Sequence, residues 1–157
     1  MRTGSLLRGL AVGLLIALAF AAKGSATTTV TDRLTGTEIV PFSSTRGTFV
    51  GVATGQLPAA WRVQIVHEPL ATGPAVAISG GRFVLVTRAG QFVNGAVRSG
   101  TVTVESRGSH CTDQTYGVSA ILSMGSFVGT LTHHRRSIFG RCLVYAATLT
   151  GRGVFSL

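Results

Sequence analysis

The feature that most constrains this chain is its apolar periodicity, which is that of β-strands. Residues 61–68, WRVQIVHE, alternate along their whole length and place Trp61, Ile65 and His67 on one face. A proline bounds this segment at each end, since proline cannot donate a hydrogen bond to a sheet ladder. No segment after residue 26 sustains the 3.6-residue period of an amphipathic helix. The sequence therefore predicts an all-β protein.

Closure of the sheet is the next expectation. About eight to ten strand candidates follow one another, separated by Gly, Pro or polar turns. Because no crossover helix is predicted, neighbouring strands should pair in antiparallel fashion. A large sheet has open edges, and closing it into a barrel removes them. We therefore predict a closed antiparallel β-barrel of about eight strands, which the frequent strand glycines favour, with a two-sheet β-sandwich as the alternative.

A Gly-x-Phe-Val unit occurs four times, and its spacing decides how it is interpreted. The units begin at Gly47, Gly81, Gly90 and Gly125, so they have no common period and do not form a repeat array. We interpret each unit as a strand entry, in which glycine relieves a turn or bulge and phenylalanine commits one face to the core. On this interpretation the motif predicts architecture and no function.

The N-terminal segment has the organisation of a secretory signal peptide. Arg2 and Arg8 precede an uncharged apolar run over 10–22, and small residues follow it. That run is shorter than the ~20 apolar residues of a transmembrane helix, and an uncleaved membrane anchor is the alternative. The sequence predicts a signal peptide over 1–26, a single barrel domain without a membrane span over 27–157, and a secreted or periplasmic location.

The two cysteines of the chain, Cys111 and Cys142, both lie in the predicted barrel domain. In an exported protein, a single pair of cysteines is most simply a disulfide. A metal site would need more ligands at suitable spacing, and the chain has no C-x-x-C motif. The sequence predicts the Cys111–Cys142 bond, and it predicts no metal site and no cofactor.

Two histidines provide the candidate binding site. By strand alternation, His67 shares the apolar face of Trp61, and His133 shares the apolar face of Phe127. The neighbouring His134 points to the opposite face, so His133 and His134 do not serve one metal ion. Either His67 and His133 bind or protonate a ligand at one barrel mouth, or they cap the barrel against water. The sequence does not place them at the same end.

Aromatic residues extend this candidate site. An eight-stranded barrel either fills its interior with side chains or holds one small ligand. Alternation in the segment SIFGRCLVYAATL places Tyr145 on the same face as Ala147 and Leu149. The candidate ligand-binding residues are His67, His133, Trp61 and Tyr145.

Charged residues indicate no specific chemistry. No two carboxylates have a spacing that pairs them, and Asp32 and Glu38 belong to an entry segment before the main strands. The chain has no nucleophile elbow, phosphate loop or dinucleotide motif, so no catalytic residue is predicted. The formal net charge of +9 favours polyanionic partners. The arginines are scattered, however, with only Arg135 and Arg136 adjacent, so no specific nucleic-acid partner is predicted.

Residues 117–133, GVSAILSMGSFVGTLTH, resemble secreted barrels of the dirigent and allene-oxide-cyclase-like group. The resemblance rests on a G-x-F-x-G step at Gly125, Phe127 and Gly129, and residues 47–51 are similar. Where those families place a Gly-rich run before the step, this chain has VSAILSM. The resemblance implies a closed antiparallel barrel and export, and no site residue is carried over from it.

Three function classes follow from these observations. The leading hypothesis is a non-enzymatic binding protein for a small apolar ligand or a surface polymer. The second is a barrel enzyme of the cyclase or isomerase type that acts on an apolar substrate. The third is a cationic envelope or adhesion protein that binds anionic polymers. An internal cavity smaller than roughly 300 Å³ would count against the first two.

Overall fold

The computed structural model describes residues 27–39, 43–69 and 73–157, which form strands, turns and loops. The predicted signal peptide over 1–26 lies outside these described residues. The strands in chain order are β1 Thr29–Glu38, β2 Arg46–Gly55, β3 Ala59–His67, β4 Ala75–Thr87, β5 Phe92–Ser106, β6 Gln114–Leu122, β7 Gly125–Ile138 and β8 Arg141–Ser156. Nothing helical within the described ranges has the length and apolar character that crossing a bilayer requires.

The strands close into a single barrel. Each strand pairs in antiparallel fashion with the next, and β8 returns to pair with β1 from Thr29↔Ser156 to Thr37↔Thr148. The predicted closed antiparallel barrel is confirmed, and the alternative of a two-sheet sandwich is wrong. The odd-numbered strands all run from one end of the barrel, here called the base, to the other, here called the mouth. The last residues of β1 and β3, Glu38 and His67, therefore both lie at the mouth.

Inward-facing side chains fill the barrel. Phe49, Trp61, Phe83, Phe127 and Phe155 are each at most 8% exposed. The cavity that they and their apolar neighbours enclose is about 80 Å³. Small-molecule pockets usually start at about 300 Å³, so the lumen is mainly a packed core.

Three of the four Gly-x-Phe-Val units stand at strand starts, because Gly47, Gly90 and Gly125 lie at the beginnings of β2, β5 and β7, whereas the expectation is wrong for Gly81, which lies inside β4. The phenylalanine is also buried in three units, but not in the same three. Phe49, Phe83 and Phe127 are buried, at 3%, 6% and 8% exposed. The expectation is wrong for Phe92, which is 73% exposed. Phe92 is the first residue of β5 and pairs with Val86 on the outer face of β4, so its ring faces solvent.

The predicted orientation of Tyr145 is also wrong. Tyr145 is 54% exposed, whereas Ala147 and Leu149 on the same strand are 1% and 7% exposed. The pairing of β7 with β8 shifts between His134 and Arg135, which leaves Tyr145 as the extra residue of a β-bulge. An extra residue interrupts the inward–outward alternation of a strand, and Tyr145 therefore points away from the barrel interior.

The predicted disulfide is confirmed. Cys111 and Cys142 are bonded, with their Cα atoms 5.4 Å apart, and none of the described cysteines is free. The bond joins the loop between β5 and β6 to the second residue of β8, so it lies at the mouth end. A disulfide of this kind is compatible with an oxidising compartment.

Candidate binding site at the barrel mouth

The mouth carries both histidines that the sequence singled out. Both β3 and β7 run towards this end, so His67 and His133 lie at the same end of the barrel. His67 is 9% exposed, and the side chain of His133 is 14% exposed. His67 is close enough for its charge to contribute to the lowered pKa of His133. The topology thus places both histidines at one end, on strands β3 and β7 that face each other across the barrel.

Glu38, which sequence reasoning left in an entry segment, lies beside His133. Its side chain is 7% exposed, and its Oε2 atom lies 4.0 Å from Nε2 of His133. The signal that would have found it is parity, because Glu38 follows the buried Leu34 by an even number of residues and shares its inward face. Among the described residues, His133 is the one ion-pair contact of Glu38.

A small residue between them allows Glu38 and His133 to approach. Strand β8 separates β1 from β7, and its Ala147 pairs directly with His133. The next residue, Thr148, pairs with Thr37, which places Ala147 beside Glu38 as well. Ala147 is 1% exposed, and its short side chain leaves the space above it to the two longer ones. A larger side chain at this position would hold them apart.

Tyr116 supports the imidazole of His133 from the neighbouring strand. The two rings pack edge to face, with centroids 5.0 Å apart and an interplanar angle of 61°. The Tyr116 hydroxyl donates to Oε1 of Gln114 at 3.1 Å. Burial raises the pKa of Tyr116, and the charges of Arg135 and Arg107 oppose that shift. The phenol therefore stays protonated across the physiological range.

His67 is oriented by the backbone. Its Nδ1 atom lies 2.7 Å from the carbonyl oxygen of Glu68. Because a carbonyl oxygen only accepts hydrogen bonds, Nδ1 carries the proton and donates it. In the neutral ring, Nε2 of His67 is then available as an acceptor for a further group.

Burial sets the protonation of the central pair. It raises the pKa of Glu38 from its ordinary value of 4.5 to about 7. It also lowers the pKa of His133, and the charges of His134 and His67 lower it further. A separation of 4.0 Å is at the outer limit of an ion pair, and burial opposes charge on either group. Near neutral pH the site therefore holds a carboxyl group at its titration midpoint beside a neutral imidazole.

The cluster stands directly above apolar lining. Leu131 and Ile65 precede His133 and His67 by one inward position, and both line the lumen cavity. The mouth thus offers hydrogen-bond donors and acceptors on one side and apolar surface on the other, the usual composition of a small-molecule site. No group of three or more His, Cys, Asp or Glu side chains placed for a metal ion occurs in the described ranges.

The remaining two candidate residues are separated by the barrel wall. Trp61 lies in the interior, where its ring packs against Gly36 and Gly51 and lines the cavity. Its Nε1 atom is buried without a hydrogen-bond partner among the described residues. Tyr145 lies outside, with its ring 5.2 Å from the guanidinium carbon of Arg136. Trp61 therefore remains a candidate for the lumen, whereas Tyr145 is not part of the mouth interior.

His134 lies on the face opposite to His133, as its strand position predicts. Its Nδ1 atom is 2.8 Å from Oδ2 of Asp113, and its Nε2 atom is 3.1 Å from the hydroxyl of Thr148. The hydrogen bond between His134 and Asp113 is the largest cause of the lowered pKa of Asp113. The hydrogen bond that the backbone N–H of Arg135 donates to Asp113 lowers it further. The pair ties the loop before β6 to the outside of β7.

The fold and the site together define an eight-stranded antiparallel barrel with a titratable cluster at its mouth. No family model matches the chain, and neither a curated protein nor a solved structure matches it. A functional assignment therefore rests on the geometry of the mouth.

Proposed function

We propose that the protein is an exported binding protein that holds a small molecule at the mouth of its barrel. The observation that carries this proposal is the carboxyl of Glu38, which is 7% exposed and has a pKa of about 7. Burying an ionisable group without a close partner costs free energy, and such perturbed groups concentrate at functional sites. In this proposal the polar end of the ligand contacts Glu38 and His133, and its apolar part faces the lumen.

The size of the lumen limits the ligand. A water molecule occupies about 30 Å³ of liquid, and a benzene-sized cavity is about 150 Å³. The cavity of about 80 Å³ is smaller than that benzene-sized cavity. Because it is below roughly 300 Å³, this volume counts against a ligand or an apolar substrate enclosed in the lumen, and the proposed ligand is therefore one seated at the mouth.

A second candidate function uses the same groups for acid–base chemistry. General acids and bases work best when their pKa lies near the operating pH, and the pKa of Glu38 is about 7. His133 next to it is a neutral imidazole that both donates and accepts. This combination favours the proton-transfer step of an isomerase or cyclase acting on a small substrate.

Export is supported by two independent features. The sequence of 1–26 has the charge and apolar pattern of a signal peptide, and the Cys111–Cys142 bond suits an oxidising compartment. The resemblance of residues 117–133 to dirigent and allene-oxide-cyclase-like barrels agrees with export, and we keep the family relationship as a proposal.

Native mass spectrometry of the protein purified from its own host tests the binding function. We expect a bound small molecule on the wild type, and loss of most of it in the Glu38→Gln variant. Glu105→Gln, which changes an exposed carboxylate on the outside of β5, is the matched control and should retain it. A wild type without bound mass, or a Glu38→Gln variant that retains it fully, contradicts the proposal. Chemical conversion of the released molecule by fresh protein would favour the second candidate.

A further inference from the structure

The hairpin formed by β7 and β8 ends in an apolar tip at the mouth end of the barrel. Phe139 is 102% exposed, and its neighbours Ile138, Leu143 and Tyr145 are 37%, 46% and 54% exposed. Their side chains form one contiguous stretch of the hairpin around the turn that joins Ile138 to Arg141. A fully exposed aromatic ring at such a position has no role in the core of the barrel.

The backbone of this turn makes the presence of Phe139 unusual. Phe139 and Gly140 have φ angles of 50° and 73°, and positive φ at both central residues is typical of a type I′ turn, which strongly prefers Asn-Gly. A bulky residue with positive φ is disfavoured by its side chain. An outlier of this kind points to a functional reason for the residue rather than to a structural one.

The hairpin carries three arginines, two of which flank its tip. Arg136 and Arg141 are exposed, and Arg135 is half-buried. Within the described part of the chain, no acidic side chain forms an ion pair with any of them. Arg136 instead lies 5.2 Å from the ring centre of Tyr145, a cation–π contact. The tip is therefore an apolar surface bordered by Arg136 and Arg141, which have no ion-pair partner among the described residues.

The β7–β8 hairpin is fastened to the neighbouring loop close to its turn. The Cys111–Cys142 disulfide ties β8 to the loop between β5 and β6, two residues from the turn. The Nη1 atom of Arg135 donates to the carbonyl oxygen of Arg107 in the same loop, at 3.0 Å. Such a fixed projection loses little conformational freedom when it binds a partner.

We propose that this hairpin tip docks the protein on the surface of an anionic lipid bilayer. Phe139 enters the boundary between headgroups and acyl chains together with Ile138, and Tyr145 lies at the level of the headgroups. Arg136 and Arg141 contact lipid phosphates, to which positive side chains are attracted within a Debye length. A soluble polyanion would satisfy the arginines but would leave the aromatic tip in water, and the charge and the apolar tip together favour the bilayer.

This inference is independent of the mouth ligand, although the two features share one end of the barrel. Docking through the tip turns the mouth towards the bilayer surface. Glu38 and His133 do not contribute to the docking surface, and variants of either leave the tip unchanged. The two proposals can therefore fail separately.

Co-sedimentation with vesicles of defined composition tests the docking surface. We expect wild-type protein to bind vesicles of equal parts phosphatidylglycerol and phosphatidylcholine about tenfold more tightly than vesicles of phosphatidylcholine alone, and added salt should weaken this binding. Phe139→Asn should reduce the affinity by about tenfold, while its Asn-Gly turn keeps or improves the thermal stability of the fold. The double variant Arg136→Gln/Arg141→Gln should lower the preference for the anionic vesicles.

A matched control comes from the opposite end of the barrel. Phe92 is also an exposed phenylalanine, at 73%, and Phe92→Asn should bind vesicles as the wild type does. The proposal is overturned if the wild type does not sediment with the anionic vesicles, or if Phe139→Asn binds them as tightly as the wild type does. Equal loss in Phe92→Asn and Phe139→Asn would also overturn it. Binding to heparin without binding to vesicles would identify the arginines as a site for anionic polymers instead.

Discussion

Glu38 acquires its unusual protonation from its place on a strand. It is the last residue of β1, and the inward parity of that strand turns its carboxyl towards His133 rather than towards water. Burial there favours the neutral acid and raises the pKa to about 7. The residue is thus neutral in much of the pH range in which an exposed glutamate is charged.

This pKa predicts how stability depends on pH. Below pH 4.5 the carboxyl is protonated in both the folded and the unfolded chain. Between pH 4.5 and about 7 the unfolded chain releases the proton while the folded barrel keeps it, so the free energy of unfolding falls as pH rises, and the loss is complete above about pH 7. The loss is at most about 3 kcal/mol, and solvent at the mouth reduces it.

Glu38→Gln should therefore be more stable than the wild type near pH 8 and equally stable near pH 4. Urea unfolding at both values measures the difference. His133 contributes the opposite pH dependence in the wild type. Because its pKa in the folded barrel is lowered from the ordinary 6.5, its contribution to the free energy of unfolding decreases as pH falls below 6.5. Comparison of the two proteins at each pH removes that contribution. A difference that does not change with pH would show that Glu38 titrates normally in the folded barrel.

For single residues, the sequence predicted which side of a strand a side chain occupies better than it predicted which side chains lie near one another. Alternation correctly gave His67 and His133 inward positions, since each follows a run of apolar residues at even spacing. It could not show that both reach the same end, because that depends on the number and direction of the strands between them. Glu38 was missed because its strand was read as an entry segment, although Leu34 on the same face carried the necessary signal.

At the scale of strands, β1 and β2 approach each other closely at a pair of glycines. Gly36 pairs with Gly51, and the ring of Trp61 packs against both. A Cβ atom on Gly51 would overlap the backbone oxygen of Thr35 and would lie 2.6 Å from Cα of Gly36. These are backbone atoms, which cannot move aside without disturbing the ladder.

Gly51→Ala should therefore lower the free energy of unfolding by about 1–3 kcal/mol, the usual cost of overpacking. Trp61 is the single tryptophan of the chain, so its fluorescence follows both unfolding and any displacement of its ring. Gly80→Ala is the control, because the nearest atom to its added Cβ is the carbonyl oxygen of Val97 at 3.7 Å. Equal stability of the two variants would contradict the close approach of β1 and β2.

The bulge at Tyr145 is a feature that the sequence alone does not predict. The segment alternates without interruption, so periodicity alone places Tyr145 with Ala147 and Leu149. The extra residue arises from the register in which β8 pairs with β7, and register is a property of two strands together. The same shift puts Tyr145 beside Arg136 on the outside, where the proposed docking surface needs it.

For the molecule as a whole, closure of the barrel and the disulfide act on different parts. The pairing of β1 with β8 closes the sheet along the side of the barrel, whereas Cys111–Cys142 fastens the extensions that rise above the mouth. The closed barrel was predictable, because a large antiparallel sheet without helices must protect its edges. The degree to which side chains fill the lumen was not predictable, because it depends on strand stagger as well as on side-chain volume.

Removal of the disulfide should destabilise the barrel through its unfolded state. The bond spans 31 positions of sequence, and the chain-entropy relation gives about 3–4 kcal/mol for a loop of that size. The variant Cys111→Ser/Cys142→Ser should lose about this much in urea unfolding, and reduction of the wild type should have the same effect. Unchanged stability on reduction would mean that the bond does not restrict the unfolded chain.

The strand ladder extends to the two ends of the described barrel at its base. The backbone N–H of Thr28 donates to the carbonyl oxygen of Leu157 at 3.1 Å, and the N–H of Leu157 donates to the oxygen of Thr28 at 2.9 Å. Residues this close can be joined by a short linker, so the barrel is suited to circular permutation. A fusion partner attached at position 28 or 157 would leave the opposite end free for libraries of binding variants. The chain could thus serve as a display scaffold whose attachment side and variable side never meet.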